Sequence, residues 1–174
     1  MTSETDRRPA EERFRAVFSH LGAVTAYARR RGSHDADAIA AEAMSIAWRR
    51  LAEVPRDDPL PWLYATARNL LHAEWRAERR HAAAELPELS VPASELRGLD
   101  PQLDRALRSL GPADREALLL VAWEDLAPAQ AARAVGIKPT AFRVRLLRAR
   151  RRLRAALEED RRPAPLVQID VEGT

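Results

Sequence analysis

Between Ile137 and Leu157 the chain reads IKPTAFRVRLLRARRRLRAAL, with eight cationic residues (Lys138, Arg143, Arg145, Arg148, Arg150, Arg151, Arg152 and Arg154) and no acid. Phe142, Leu146, Ala149, Leu153 and Ala156 recur through it at steps of three and four, a period that fits a helix and no strand. The segment must be a helix that packs along one stripe and presents arginine elsewhere, which suits the phosphate backbone of nucleic acid. Just upstream, in AQAARAVGI, small Ala132 lets two helices approach closely and Gly136 permits a left-handed turn. Together they predict a helix-turn-helix. Its first helix starts weakly, because Ala127 offers no side-chain acceptor, although Pro128 suits the first helical position.

Advancing 100° per residue from Phe142 places Leu146, Ala149 and Leu153 within about 40° of it. Val144, Leu147, Arg148 and Arg151 then point directly away. Apolar side chains in an arginine field make sense in a major groove, where they meet thymine methyl groups while an arginine such as Arg148 forks onto guanine. The flanking arginines would hold phosphates and set register.

The chain has 174 residues, room for one domain or two small ones, and a net charge of only +3. Its basic character is therefore local. Lys138 is the only lysine; arginine beside abundant alanine also follows from a GC-rich coding bias, but that bias does not cluster charge in the last third. With no cysteine, disulfides, thiolate metal sites and a cysteine nucleophile are excluded. MTSETDRRPAEERF lacks the apolar core of a signal peptide, and no stretch approaches the ~20 apolar residues of a membrane span. The expectation is a soluble, cytoplasmic protein with no membrane contact, no metal and no cofactor.

Helical periodicity dominates the rest. One helix is expected from about Pro9 to Arg31, with Phe14, Val17, Phe18, Leu21, Val24 and Ala28 on one face and Gly32 as its stop. A second begins after Ser33, which can cap it, carries Asp35 and Asp37 in its first turn, buries Ile39, Ala43, Ile46 and Ala47, and ends near Leu51. After the loop EVPRDDPLP a third runs from about Pro61 to Arg80. Ala82 to Leu99 has two prolines and no apolar period and reads as a linker. Extended, its 18 residues reach roughly 60 Å, about 18 base-pair steps of ~3.4 Å; folded back between the domains it would span far less. From Asp100, Leu103, Leu107 and Leu110 form a short helix closed by Gly111-Pro112, and Leu118, Leu119, Ala122 and Leu126 another. The fold class is all-α: two small helical bundles joined by a flexible linker, the second containing the helix-turn-helix. The boundaries are 9–81, 82–99 and 100–160, with a tail at 161–174.

The segment from Leu103 to Leu157 resembles region 4 of bacterial extracytoplasmic-function sigma factors, of the sigma-70 family. SLGPADREALLLVAWEDL is similar to the helix before the motif, and VGIKPTAFRVRLLRARRRLR to the turn plus recognition helix. The resemblance implies −35 promoter binding, with Arg143, Val144, Arg145, Leu147 and Arg148 facing DNA and Arg151 beside them. Val144 stands where a small polar residue is usual, and Ala127 where Ser or Thr is.

LPWLYATARNLLHAEWRAERR, from Leu60 to Arg80, resembles the end of sigma region 2, which opens the −10 element and holds a flipped base. Flipping costs a few kcal/mol that a pocket must return. The resemblance places that pocket in the loop Val54–Leu60, with Arg56, Asp57 and Asp58 as its polar groups. Arg68, Asn69, Arg76, Arg79 and Arg80 would track the strand, with Trp75 as a stacking platform; Trp62 is assigned to the core. SHDADAIAAEAMSIAWRRL, from Ser33 to Leu51, resembles region 2.2, which docks on the clamp helices of the RNA polymerase β′ subunit. Asp35, Asp37, Glu42, Ala47 and Trp48 fit it; Ala38, Ala41 and Ile46 replace polar residues.

The partners implied are core RNA polymerase, promoter DNA and, from the family rather than from any residue, an anti-sigma factor. His34-Asp35 alone suggests metal phosphohydrolase chemistry, but His20, His72 and His81 have no ligand spacing with it, and no phosphate loop or nucleophile is present, so an enzyme is not expected. The rival reading is a sigma-like regulator or anti-sigma decoy that no longer initiates transcription.

Overall fold

The computed structural model describes residues 4–84 and 100–160, and among these every regular element is helical. The tail from 161 onward and the linker beyond Ala84 lie outside the described residues. The first expected helix is two: α1 (Glu4–Phe18) and α2 (Leu21–Arg30). The Ser19 hydroxyl donates to the Ala16 carbonyl at 2.7 Å, a local bond that competes with the helical ladder, and His20 N–H bonds the Val17 carbonyl in a tighter turn. α2 stops at Gly32, whose φ of 74° lets Ser33 N–H bond back to Ala28.

α3 spans Ala36–Arg49 and is capped by Asp35 rather than Ser33. The Asp35 carboxylate accepts from Ala38 N–H at 2.8 Å, while the Ser33 hydroxyl is spent on Glu74. Its buried stripe is Ala36, Ala40, Ala43, Met44 and Ala47. Ile39 and Ile46 are only half-buried, a rotation of the expected face by about one residue. After a 3-10 turn (Leu51–Glu53), α4 runs from Leu60 to Ala84, so the linker loses its first three residues to helix. Ala82–Ala84 are strong helix formers and nothing in their chemistry stops α4 at Arg80.

In the second group, Asp100 caps α5 (Pro101–Ser109) and Pro112 opens α6 (Pro112–Ala122). Arg115 reaches back to the Leu107, Arg108 and Leu110 carbonyls at 2.7–3.2 Å, satisfying the end of α5. Leu126 lies beyond α6, in a turn where Asp125 takes a φ of 51°. α7 (Pro128–Val135) and α8 (Pro139–Asp160) follow. One apolar cluster is continuous from Val24, Tyr27, Leu63 and Tyr64 through Leu120 to Phe142 and Ala149. The two bundles therefore pack against each other.

Candidate nucleic-acid interface

Gly136, with φ 69° and ψ 34°, makes the turn between α7 and α8. Its N–H bonds the Arg133 carbonyl and that of Ile137 reaches Ala132. A Cβ there would meet no atom within 4 Å, so the requirement is for the left-handed backbone and not for space. At the other end of α7 Ala127 offers no side-chain acceptor, and half of a capping box remains: its N–H donates to the Gln130 side-chain oxygen at 2.8 Å.

α8 is turned as the wheel requires. Phe142, Leu146 and Ala149 are buried and Leu153 half-buried, while Arg143, Arg148 and Arg151 are exposed and Arg145 half-exposed. Val144 is 48% and Leu147 60% exposed, an apolar pair standing in solvent among arginines. Arg152 is ion-paired with Asp114 of α6, linking α8 to that helix. Gln102 donates to the Leu157 carbonyl at 3.0 Å and Arg105 pairs with Asp160 at 2.6 Å, clasping α5 to the far end of α8.

The second group of candidates lies on α4 and the loop before it. Arg56 and Asp57 are exposed. Asp58 is not open: its carboxylate is ion-paired with Arg133 and accepts from the Gln130 amide at 3.1 Å, both on α7. Arg68 is half-exposed, and Asn69 and Arg76 are exposed. Their combined field is felt by His72, which burial first, then Arg68, Arg76 and Arg79, holds below the ordinary imidazole value. Trp75 is not an open platform: it is half-buried against the core, its ring lies 5.5 Å from His72, and its indole N–H is buried without a partner. Trp62 packs against the core as expected.

On α3, Asp35 serves as the cap, Asp37 is exposed with Arg29 at 4.0 Å, and Glu42 pairs with Arg49 at 2.9 Å. Trp48 is 44% exposed and stands edge-on to Phe14, with Phe18 exposed beside them, so α1 and α3 offer an apolar groove.

Sequence reasoning did not find the polar contact between the bundles. Arg31, only 6% exposed, donates to Glu116 at 2.9 and 3.1 Å and to Glu124 at 2.8 Å. Arg30 also pairs with Glu124. The Arg31 guanidinium lies 3.5 Å from the Tyr27 ring centre, Tyr27 stacks on Tyr64 at 4.7 Å, and the Tyr27 hydroxyl donates to Glu116 at 3.0 Å. The only signal was the run Arg29-Arg30-Arg31, which also reads as cations favoured at a helix C-terminus.

Burial, opposed by nearby Arg31, pushes the Tyr27 phenol well above its ordinary value; burial and Glu124 push Tyr64 up to about 12. These are the chain's two tyrosines. A raised phenol stabilises the packed form fully below the ordinary value of ~10 and loses that contribution as pH climbs through the folded value. Ultraviolet titration should show almost no phenolate one unit above ~10, with Tyr64 ionising near 12. Two ordinary tyrosine titrations would contradict this burial.

Set against known proteins, residues 17–81 match the family model for sigma-70 region 2 and residues 101–153 that for sigma-70 region 4. Between them these matches cover about two thirds of the chain, in the family's order. The chain belongs to the sigma-70 family of sigma factors. Curated protein sequences give no match. Among solved structures, the sigma factor RpoE from Bartonella quintana, in complex with the anti-sigma factor NepR, is similar with a TM-score of 0.62 and 23% identity, over 84% of this chain and 97% of that one. CnrH, in complex with the cytosolic domain of CnrY, has a TM-score of 0.59 and 25% identity, over 84% and 88%. The fold is shared with both. This sigma factor binds core RNA polymerase and directs initiation at promoters, rather than acting as a decoy. No helix among the described residues is long and apolar enough to cross a membrane.

Proposed function

We propose that this sigma factor reads its promoter at two points with the residues built above. Val144, Leu147 and Arg148 read the −35 element in the major groove, with Arg143, Arg145 and Arg151 on its phosphates. Arg56, Asp57 and Asp58 receive a non-template base of the −10 element while Arg68, Asn69 and Arg76 follow the strand. Asp37, Glu42 and Trp48 of α3 meet the β′ clamp helices, with Asp35 holding the first turn of that helix. The two domains, 9–81 and 100–160, carry one reading point each. The likeness to RpoE, held by the anti-sigma factor NepR, supports a regulator of that kind for this chain too. The observation that carries the reading is the exposed pair Val144 and Leu147 on the face of α8 opposite its buried stripe.

Arg148→Ala should weaken −35 duplex binding by about 1–3 kcal/mol and relax sequence preference; Arg151→Ala should lower affinity for all sequences alike and flatten the salt dependence. Binding isotherms on matched and mismatched duplexes at several salt concentrations measure both. Equal, sequence-independent losses would remove Arg148 from the readers.

A further inference from the structure

The loop from Val54 to Leu60 hangs between two fixed ends. At its exit the Pro59 carbonyl accepts from Leu63 N–H at 3.0 Å, a bond that opens α4. At its entry Val54 N–H closes the 3-10 turn onto the Leu51 carbonyl at 3.3 Å, and the Val54 side chain is 2% exposed in the core. A proline disfavours helical backbone in the residue before it, so with Pro55 next in the chain Val54 turns to φ −69° and ψ 123°. Its carbonyl leaves the helical ladder there, and Pro55 and Pro59 have no N–H to offer. The partner comes from α1: the Arg13 guanidinium donates to the Val54 carbonyl at 2.6 Å, across 41 residues of sequence. Between the two ends Arg56 and Asp57 stand exposed.

We propose that Arg13 is a positioning residue for the −10 pocket: it ties the start of the loop to α1 and so holds Arg56 and Asp57 where a base can be received. The proposal rests on the −10 assignment made above for its consequence, though not for the tie itself. An unpaired backbone carbonyl at a buried position costs free energy, and a charged donor makes the stronger kind of hydrogen bond. Arg13 is half-buried, and its neighbour Phe14 packs edge-on against Trp48 of α3 at 5.0 Å. That contact seats α1 on α3, so the guanidinium starts from a fixed point. Groups that bind a ligand must be held to within about 0.5 Å of their working geometry. A loop that can leave its receptive arrangement binds only in proportion to the fraction that keeps it. Arg56 and Asp57 follow the tied carbonyl directly in the chain, so the tie acts on them first. Asp58 has its own hold, on Arg133 and Gln130 of α7. Arg68, Asn69 and Arg76 sit on α4 and do not depend on it.

The chain has no cysteine, so Asp57→Cys carries a single nitroxide label whose line shape reports how tightly the loop is held. Arg13→Gln should make that label more mobile, and Arg13→Lys, which keeps a cationic donor, should largely restore it. Arg8→Gln, an equal change in charge at an exposed position of α1, should leave it as it is. The second measurement keeps Asp57 and uses the full chain bound to core polymerase with a random single-stranded oligonucleotide pool, the bound fraction being sequenced. The parent should select a base at the pocket position. Arg13→Gln should lower that preference about tenfold, the scale of one hydrogen bond from a charged donor. Preferences at the other positions, −35 duplex affinity and polymerase affinity should stay as in the parent, and Arg13→Lys should recover most of the loss. A label equally mobile in the parent and in Arg13→Gln overturns the tie. An even loss at all positions that extends to −35 binding overturns positioning in favour of a general structural role. An even loss confined to single strands, with a flatter salt dependence, overturns it in favour of a phosphate contact. A freed label with base selection unchanged upholds the tie and takes the −10 pocket away from this loop, which strikes the promoter assignment instead.

Discussion

Phe142→Ala is expected to cost the helix-turn-helix bundle about 3–5 kcal/mol, the range for truncating a fully buried aromatic ring. Phe142 has no exposure and sits where α8 leaves the turn, so its ring is the wedge against which the recognition helix is set. Small domains carry only about 5–15 kcal/mol in total, and a loss of this size removes much of the second group's stability. Urea unfolding followed by helical circular dichroism would show it. If the two groups unfold separately, a first transition confined to α5–α8 should appear, with −35 binding lost across it. A single transition shifted as a whole would show that the continuous apolar cluster ties both groups into one cooperative unit. A loss under ~1 kcal/mol would mean that the site collapses onto the smaller side chain, and the ring would lose its role as wedge.

The second large effect is expected at Tyr27. Its ring is fully buried, stacked on Tyr64 and covered by Arg31. Tyr27→Ala should cost about 3–5 kcal/mol from the cavity alone. It also strips the apolar floor from Arg31, so the bundles should separate before the first one melts. Tyr27→Phe is the informative control. It keeps the ring and gives up only the hydroxyl bond to Glu116, which Arg31 still satisfies at 2.9 Å. Its cost should stay below the ~3 kcal/mol upper end for a hydrogen bond to a charged group. Differential scanning calorimetry of both variants distinguishes the cases. Equal losses would assign the importance of Tyr27 to its hydroxyl and not to its ring.

The helix-turn-helix was legible almost residue by residue because its information is local. A 3.6-residue period fixes which face of α8 is buried, and a glycine at the turn announces a positive φ; Phe142, Gly136, Val144 and Leu147 all stand where those rules put them. The break at Ser19 and His20 was not legible, since apolar residues keep their period straight through it and only the Ser19 hydroxyl bond interrupts the ladder. Capping of α3 by Asp35 in place of Ser33 depended on Glu74, 41 residues away, drawing off the serine hydroxyl. Trp75 read as a stacking platform because an aromatic among arginines has that chemistry; the packing of α4 against its neighbours turned it inward. The polar joint of Arg30 and Arg31 with Glu116 and Glu124 joins residues 85 to 94 apart. No periodicity encodes which carboxylate will meet which guanidinium at that separation. The family resemblance located both promoter-reading halves, but it carried no information on how they rest against each other.

The extra turn at the end of α4 bears on which genes this protein can serve. With helix continuing to Ala84 and α5 capped by Asp100, the 16 steps of chain joining the two bundles can reach no more than about 58 Å at ~3.3–3.6 Å per residue. Each base pair inserted between the two elements takes ~3.4 Å of that length and turns one element about the duplex by about a tenth of a full rotation. Slack in the protein is thus a ruler laid along the DNA. Sequences with both elements intact but set too far apart fall silent, and spacing becomes as much a part of the address as the bases themselves.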